Sequence, residues 1–166
     1  MKKSLVIAVD FDGTCVTHAF PEVGKDIGAV PVLKRLVAEG HKLILWTMRS
    51  FISGTSPVTH KTEEGGLPAA LDWFRDNGIE LWGIQTNPEQ GAWTTSPKAY
   101  AQIYIDDAAL GAPIKHDTAI SERPFIDWPS VEVILMMGGV LESQGPHGDF
   151  IDAMREDMKA NGQIKE

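Results

Sequence analysis

The chain is poor in cysteine, with a single thiol, Cys15, among 166 residues. One cysteine cannot form an internal disulfide, so a disulfide-stapled scaffold is excluded and a reducing, cytoplasmic setting is expected. Cys15 itself reads as a small packing residue, because a reactive thiol needs an electropositive surrounding. Long hydrophobic runs are also missing. "MKKSLVIAV" has the lysines of a signal-peptide start, but its apolar run ends at Asp10, short of the ~7–15 residues of a signal core. Nothing approaches the ~20 apolar residues of a membrane span, so no membrane partner is expected. Positive charge is scarce: 15 Lys and Arg face 23 Asp and Glu, for a net charge of −8. That balance argues against nucleic acid as a partner, since phosphate backbones require clustered cations. A small phosphorylated ligand held at one local positive site is still compatible with it.

What is present fits one compact domain over residues 1–166: a core over 1–117, then a C-terminal helical extension over 118–166 with a frayed end. Leu5–Val9 reads as a buried strand, and "KLILWT" (42–47), "ELWGIQT" (80–86) and "AQIYIDD" (101–107) as three more. Val30, Leu33, Leu36 and Val37 fall at helical spacing, with Gly40 placed to end that helix. "LPAALDWFRDNG" (67–78) has a proline in its first turn and Gly78 at its end, the punctuation of a second helix. Further on, Pro129–Met137 reads as a helix, and Phe150, Met154 and Met158 lie four apart after Asp149, a candidate cap. Strands apolar on both sides and separated by helices indicate a doubly wound, Rossmann-like α/β fold with a parallel sheet covered on both faces. Ligands of such folds bind beyond the carboxyl ends of the strands. Asp10, Asp12, Thr47, Asp106 and Asp107 all follow strand ends and are expected to converge there.

"DFDG" alone is compatible with a simple turn or cap. Its companions are not explained that way. Four carboxylates in one cleft repel each other, and some take up protons unless a cation intervenes. A hard, oxygen-seeking ion such as Mg²⁺ resolves this, with Lys98 neutralising more of the charge. An ionised aspartate can attack phosphorus to form an aspartyl phosphate. Asp12, two residues along, could protonate the leaving oxygen and then take a proton from the hydrolytic water. Gly13 permits the tight turn between them, and Thr14 can steady it.

These stretches together resemble the haloacid dehalogenase-like superfamily. "AVDFDGTCV" is similar to its first motif, "LILWT" to its second, the lysine of "SPK" to its third, and "IYIDD" to its fourth. The resemblance implies Asp10 as nucleophile, Asp12 as general acid and base, and Thr47 and Lys98 on the phosphoryl oxygens. It also implies Mg²⁺ held by Asp10, the main-chain carbonyl of Asp12, and Asp106, with Asp107 direct or through water. The second aspartate of the first motif favours phosphatases over dehalogenases. The stretch after Thr14 suits a flap but not a cap domain, and the loops 50–66 and 87–96 are no domain either, so a capless, open site is expected.

In an open site, selectivity comes from loops, from a partner copy that covers it as a homodimer, or from the substrate's size. Gly13, Thr14 and Arg49 are candidate substrate contacts, with a surface ion pair as the alternative for Arg49. His18, in the flap, is a weaker candidate. Trp93 belongs either to the entrance wall or to the core, and the core is preferred. His41, His60, His116 and His147 show no metal-ligand spacing. A response-regulator receiver domain fits less well, because it phosphorylates an aspartate at the third strand and "ELWGIQT" ends in none. The sequence therefore supports a Mg²⁺-dependent phosphomonoesterase, with a phosphotransferase or mutase, or a non-catalytic phosphate-binding or signalling protein, as alternatives.

Overall fold

The structure is a computed structural model that describes residues 3–51, 54–55, 62–63, 65–144 and 148–163. The chain forms two compact units, Met1–Trp128 and Pro129–Glu166.

The first unit is an α/β domain. In chain order it contains β1 (Val6–Val9), α1 (Ala29–Ala38), β2 (Lys42–Leu45), β3 (Gly54–Thr55), β4 (Thr62–Glu63) and α2 (Leu67–Asp76). There follow β5 (Gly83–Ile84), a 3₁₀ turn at Gln90–Ala92, β6 (Ile103–Ile105), β7 (Ile114–Lys115) and β8 (Phe125–Ile126). Four strands make a parallel sheet in the order β5-β2-β1-β6, flanked by helices. Ile7, Ala8 and Val9 of β1 and Leu43, Ile44 and Leu45 of β2 are all buried, as strands covered on both faces require. From β1 the chain builds outward through β2 and β5, then returns to place β6 on the other side of β1. The sheet therefore reverses direction between β1 and β6, which is where such sheets open a crevice.

The expected strands are present but shorter. "ELWGIQT" contributes only Gly83–Ile84, because Gln85 takes a left-handed backbone (φ 58°) that ends the extended run. Gln85 nevertheless donates its main-chain N–H to Leu45 O. The helices run close to expectation. Gly40 (φ 86°) and Gly78 (φ 64°) provide the left-handed residues that follow α1 and α2. The first unit also continues past residue 117. Ile126 N–H bonds Gly13 O at 2.9 Å, and the buried Trp128 indole donates to Thr14 O at 2.7 Å, so this segment backs the turn that carries the first acidic pair.

The second unit contains α3 (Trp128–Met137), which starts on the last residue of the first, and α4 (Gly148–Ala160). Asp149 lies inside the first turn of α4 rather than capping it. Ile151 is buried while Phe150 is exposed, so the apolar face is set one residue later than the Phe150 spacing implied. No helix of the described residues is long and apolar enough to cross a membrane.

Candidate functional site

The chain leaves β1 at Val9 and enters a compact turn. Phe11 O accepts N–H bonds from Thr14, Cys15 and Val16, and Gly13 N–H bonds Val16 O at 2.7 Å. Phe11 is fully buried, with its ring edge-on to Trp73 at 5.6 Å and tilted against Phe74. An apolar anchor thus sits between the two aspartates and fixes both, and their surroundings differ.

Asp10 faces the crevice between β1 and β6. Its N–H bonds Ile105 O at 3.0 Å, which fastens the strand ends together. Oxygens of Asp10, Asp106 and Asp107 all lie within 4.8 Å of one another. Thr14, fully buried, links two of them: its hydroxyl lies 3.3 Å from Asp10 Oδ2 and accepts the Asp107 N–H at 3.0 Å. Asp107 Oδ2 also meets His18 Nε2 at 2.9 Å. Among the described residues, no Lys or Arg forms an ion pair with any of these three acids. Burial, opposed by the Phe11 N–H and reinforced by Asp106, Asp107 and Asp12, pushes the Asp10 carboxyl up to about 7. Burial, with Asp10 and Asp12 adding to it, also raises the Cys15 thiol well above its ordinary value, as expected of a packing residue.

Asp12 is not part of this cluster. Its two oxygens accept Arg49 Nε and Nη2, each at 2.7 Å. The same guanidinium donates to Pro21 O (2.9 Å), Gly66 O (3.0 Å) and Glu22 O (2.7 Å). All five guanidinium N–H groups are therefore engaged, and the Arg49 side chain is only 1% exposed. Phe11 and Phe20 rings lie 4.9 and 5.2 Å from its Cζ. Arg49 is thus no surface ion pair, and in this arrangement it has no donor left to offer a substrate. It ties Asp12 to the flap that follows.

The other expected residues are sorted in the same way. Gly13 gives its N–H to Val16 and provides clearance: at its φ of 83°, a Cβ would lie 2.2 Å from His18 Nε2 and 2.5 Å from Asp107 Oδ2. Thr14 is enclosed and orients carboxylates instead of touching substrate. Thr47 follows β2, half-buried, with its main chain held by Gln85: Thr47 N–H donates to Gln85 Oε1 at 3.0 Å, and Gln85 Nε2 returns to Thr47 O and Arg49 O. Lys98 is not brought to Asp10; its exposed ammonium sits over the Tyr104 ring, 5.3 Å from the centroid. Trp93 is 64% exposed and packs edge-on against Tyr100, so it is not the core residue expected; with Lys98 it lines a surface cavity. His41 is buried, and its Nδ1 accepts the Leu5 N–H. His60, His147 and most of loop 50–66 lie outside the described residues.

No protein-family model and no curated protein matches the chain. Among solved structures, a conserved protein coded by a locus of Bacteroides thetaiotaomicron is similar, with 35% sequence identity and a TM-score of 0.54. The match covers 72% of this chain and 88% of that one. The chain belongs to the family of that conserved protein. The kinship carries fold, while the chemistry has to be argued from the site.

Two residues that matter here carry no signal in the sequence: Gln85 holds the Thr47–Arg49 corner and Trp128 backs the Gly13 turn. His18, the weaker candidate in the flap, joins the acidic cluster through Asp107.

Proposed function

We propose that the protein is a Mg²⁺-dependent phosphomonoester hydrolase in which Asp10 is the nucleophile. The observation that supports this most is the cluster of Asp10, Asp106 and Asp107 at the reversal of the sheet, to which no Lys or Arg among the described residues is paired. The donor set fits the ion. All three ligands are hard oxygens, and Asp106 and Asp107 each keep one oxygen beyond those used by Ala108 N–H and His18. Asp10, Asp106 and Asp107 would hold the metal, with the Asp12 main-chain carbonyl beside them. When bound, Mg²⁺ supplies positive charge to the phosphoryl oxygens and to the acids themselves.

In this reading the Asp10 carboxylate attacks phosphorus and the bond to the departing alcohol oxygen breaks. Asp12 donates a proton to that oxygen. It then accepts one from the water that attacks the aspartyl phosphate, which releases phosphate and restores Asp10. For either transfer, one Asp12 oxygen must first leave Arg49. The same reading makes the chain a doubly wound, capless member of the haloacid dehalogenase-like superfamily, with Thr47 and Lys98 approaching the phosphoryl group only once substrate is bound.

The grip of Arg49 on Asp12 favours a second reading, a phosphate-binding protein without turnover, since an acid that stays locked cannot shuttle protons. Hydrolysis of a broad panel of phosphate esters, with Mg²⁺ and with chelator, separates the two. The hydrolase reading expects metal-dependent phosphate release that Asp12→Asn impairs most for poor leaving groups. Inert protein across the panel, with phosphate binding retained, would favour the second reading.

A further inference from the structure

A cavity of about 480 Å³ lies between the flap and the 120–123 loop. The flap is a hairpin closed at its base by the Val16–Asp26 bridge, by Thr17 N–H to Lys25 O at 3.0 Å, and by Lys25 N–H to Thr17 Oγ1 at 2.9 Å. Gly24 allows the two arms to meet, since a Cβ there would stand 1.9 Å from Thr17 O. The hairpin is docked across the cavity by Lys25, whose ammonium donates to Ile120 O at 2.9 Å. Arg49 fixes its far side through Pro21 O and Glu22 O. The cavity is therefore a held feature of the fold.

Two observations link it to the chemistry. His18 lines the cavity and also contacts Asp107 of the acidic cluster at 2.9 Å, so one side chain borders both. The lining also has a local excess of positive charge in a chain of net charge −8: Lys25 and Arg123 against Glu122. The Arg123 guanidinium has no acidic partner among the described residues, and Lys25 keeps ammonium protons beyond the one given to Ile120. Val23, Ala19 and Ile120 supply apolar wall. A volume of this size suits a small organic molecule.

We infer that this cavity is the subsite for the alcohol portion of the substrate, and that it selects phosphate monoesters whose alcohol portion carries a second anionic group, a carboxylate or another phosphate. The inference rests on the phosphomonoesterase reading and names its substrate class. Because His18 borders both the acidic cluster and the cavity, an ester with its phosphoryl group at Asp10 would place its alcohol portion in the cavity. The second anion would then reach Lys25 and Arg123 across the apolar wall. An anion met by these cations gains selectivity through charge-assisted hydrogen bonds.

The test is calorimetric binding of 3-phosphoglycerate and glycerol 3-phosphate to Asp10→Asn protein with Mg²⁺, with and without Lys25→Met and Arg123→Met. Both substituted residues are exposed, but Lys25 also docks the hairpin through Ile120 O. Arg123→Met alone, which keeps that dock, is therefore measured beside the double variant and should by itself weaken the preference. The carboxylated ester is expected to bind about tenfold more tightly. The double substitution should remove that preference and leave glycerol 3-phosphate within about twofold. Equal binding of the two esters, a preference that survives the substitutions, or no binding of either would overturn the inference. Wild-type hydrolysis of the two esters is measured alongside. If neither is hydrolysed while the wild-type preference depends on Lys25 and Arg123, the anion subsite stands, and the broad ester panel decides the hydrolase reading. If both are hydrolysed without preference, the subsite alone falls.

Discussion

Asp10 and Asp12 are two residues apart, yet they lie in opposite electrostatic settings. Asp10 joins Asp106 and Asp107 in a group of acids that no Lys or Arg among the described residues offsets. Asp12 faces a guanidinium that is 1% exposed and meets both its oxygens at 2.7 Å. One corner is held short of positive charge, and the other is fully compensated. The difference arises at Phe11, whose buried ring sends the two neighbouring carboxylates to different partners. A single D-x-D stretch thereby makes one carboxylate that no Lys or Arg among the described residues offsets and one that a buried guanidinium holds. In the function proposed above, the first is the nucleophile and the second the proton carrier, kept out of the cluster until substrate arrives.

The contrast can be broken most severely at Arg49. Arg49→Met removes five donors, leaves Asp12 and three carbonyls unmatched, and is expected to cost about 3–5 kcal/mol in chemical denaturation. Arg49→Lys keeps the charge but not the fork, and should recover only part of that loss. If Arg49→Met unfolds at the wild-type denaturant concentration, Asp12 is not held as described.

The uncompensated corner gives a pH signature. In the metal-free folded protein Asp10 is raised from 3.8 to about 7. Between those values the native state keeps a proton that the unfolded chain releases, so this group lowers stability as pH rises from about 4 to about 7. Metal-free Asp10→Asn should therefore be more stable than wild type at pH 8 by up to a few kcal/mol, with the advantage gone near pH 4. Added Mg²⁺ should raise the wild-type melting temperature at pH 8 and have little effect at pH 5. Equal melting temperatures for the two proteins at pH 8, with and without Mg²⁺, would mean that the acids carry no such tension.

Smaller effects sharpen the comparison. Gly13→Ala introduces a Cβ against His18 and Asp107 at a φ of 83°, and a loss of about 1–3 kcal/mol is expected in thermal unfolding. His18→Ala should relieve part of that loss, because it clears the nearer contact. A penalty unchanged in the double variant would assign the cost to backbone strain and the Asp107 contact instead. Gln85→Ala removes the amide that bonds Thr47 O and Arg49 O and should cost about 1–2 kcal/mol. In the proposed reaction it should also lower turnover, since it loosens the corner that holds Thr47.

Much of this was legible in the sequence. The four sheet strands were marked by apolar runs, and the acids at strand ends followed from the topology of an α/β sheet. Arg49 was noticed but misplaced, because its role depends on Asp12, on the flap carbonyls and on Gly66, which only the fold brings together. Lys98 was placed by motif order, yet its ammonium rests on Tyr104, a neighbour in space that spacing does not reveal. Gln85 and Trp128 act through main-chain atoms distant in sequence, and nothing in their own surroundings marks them. Single strands and local turns can be read from one stretch of chain. Side chains that bridge several stretches cannot.

The central claim is that Asp10 takes the phosphoryl group. Acid-quenched reaction of wild-type protein with a hydrolysed phosphate ester and Mg²⁺, digested and examined by mass spectrometry, tests it directly. The account predicts a phosphoryl adduct on the peptide that contains Asp10, absent without Mg²⁺ and absent in Asp10→Asn, which should also lose at least ~10³-fold in turnover. Metal-dependent turnover that persists in Asp10→Asn, or an adduct on another residue, would contradict it.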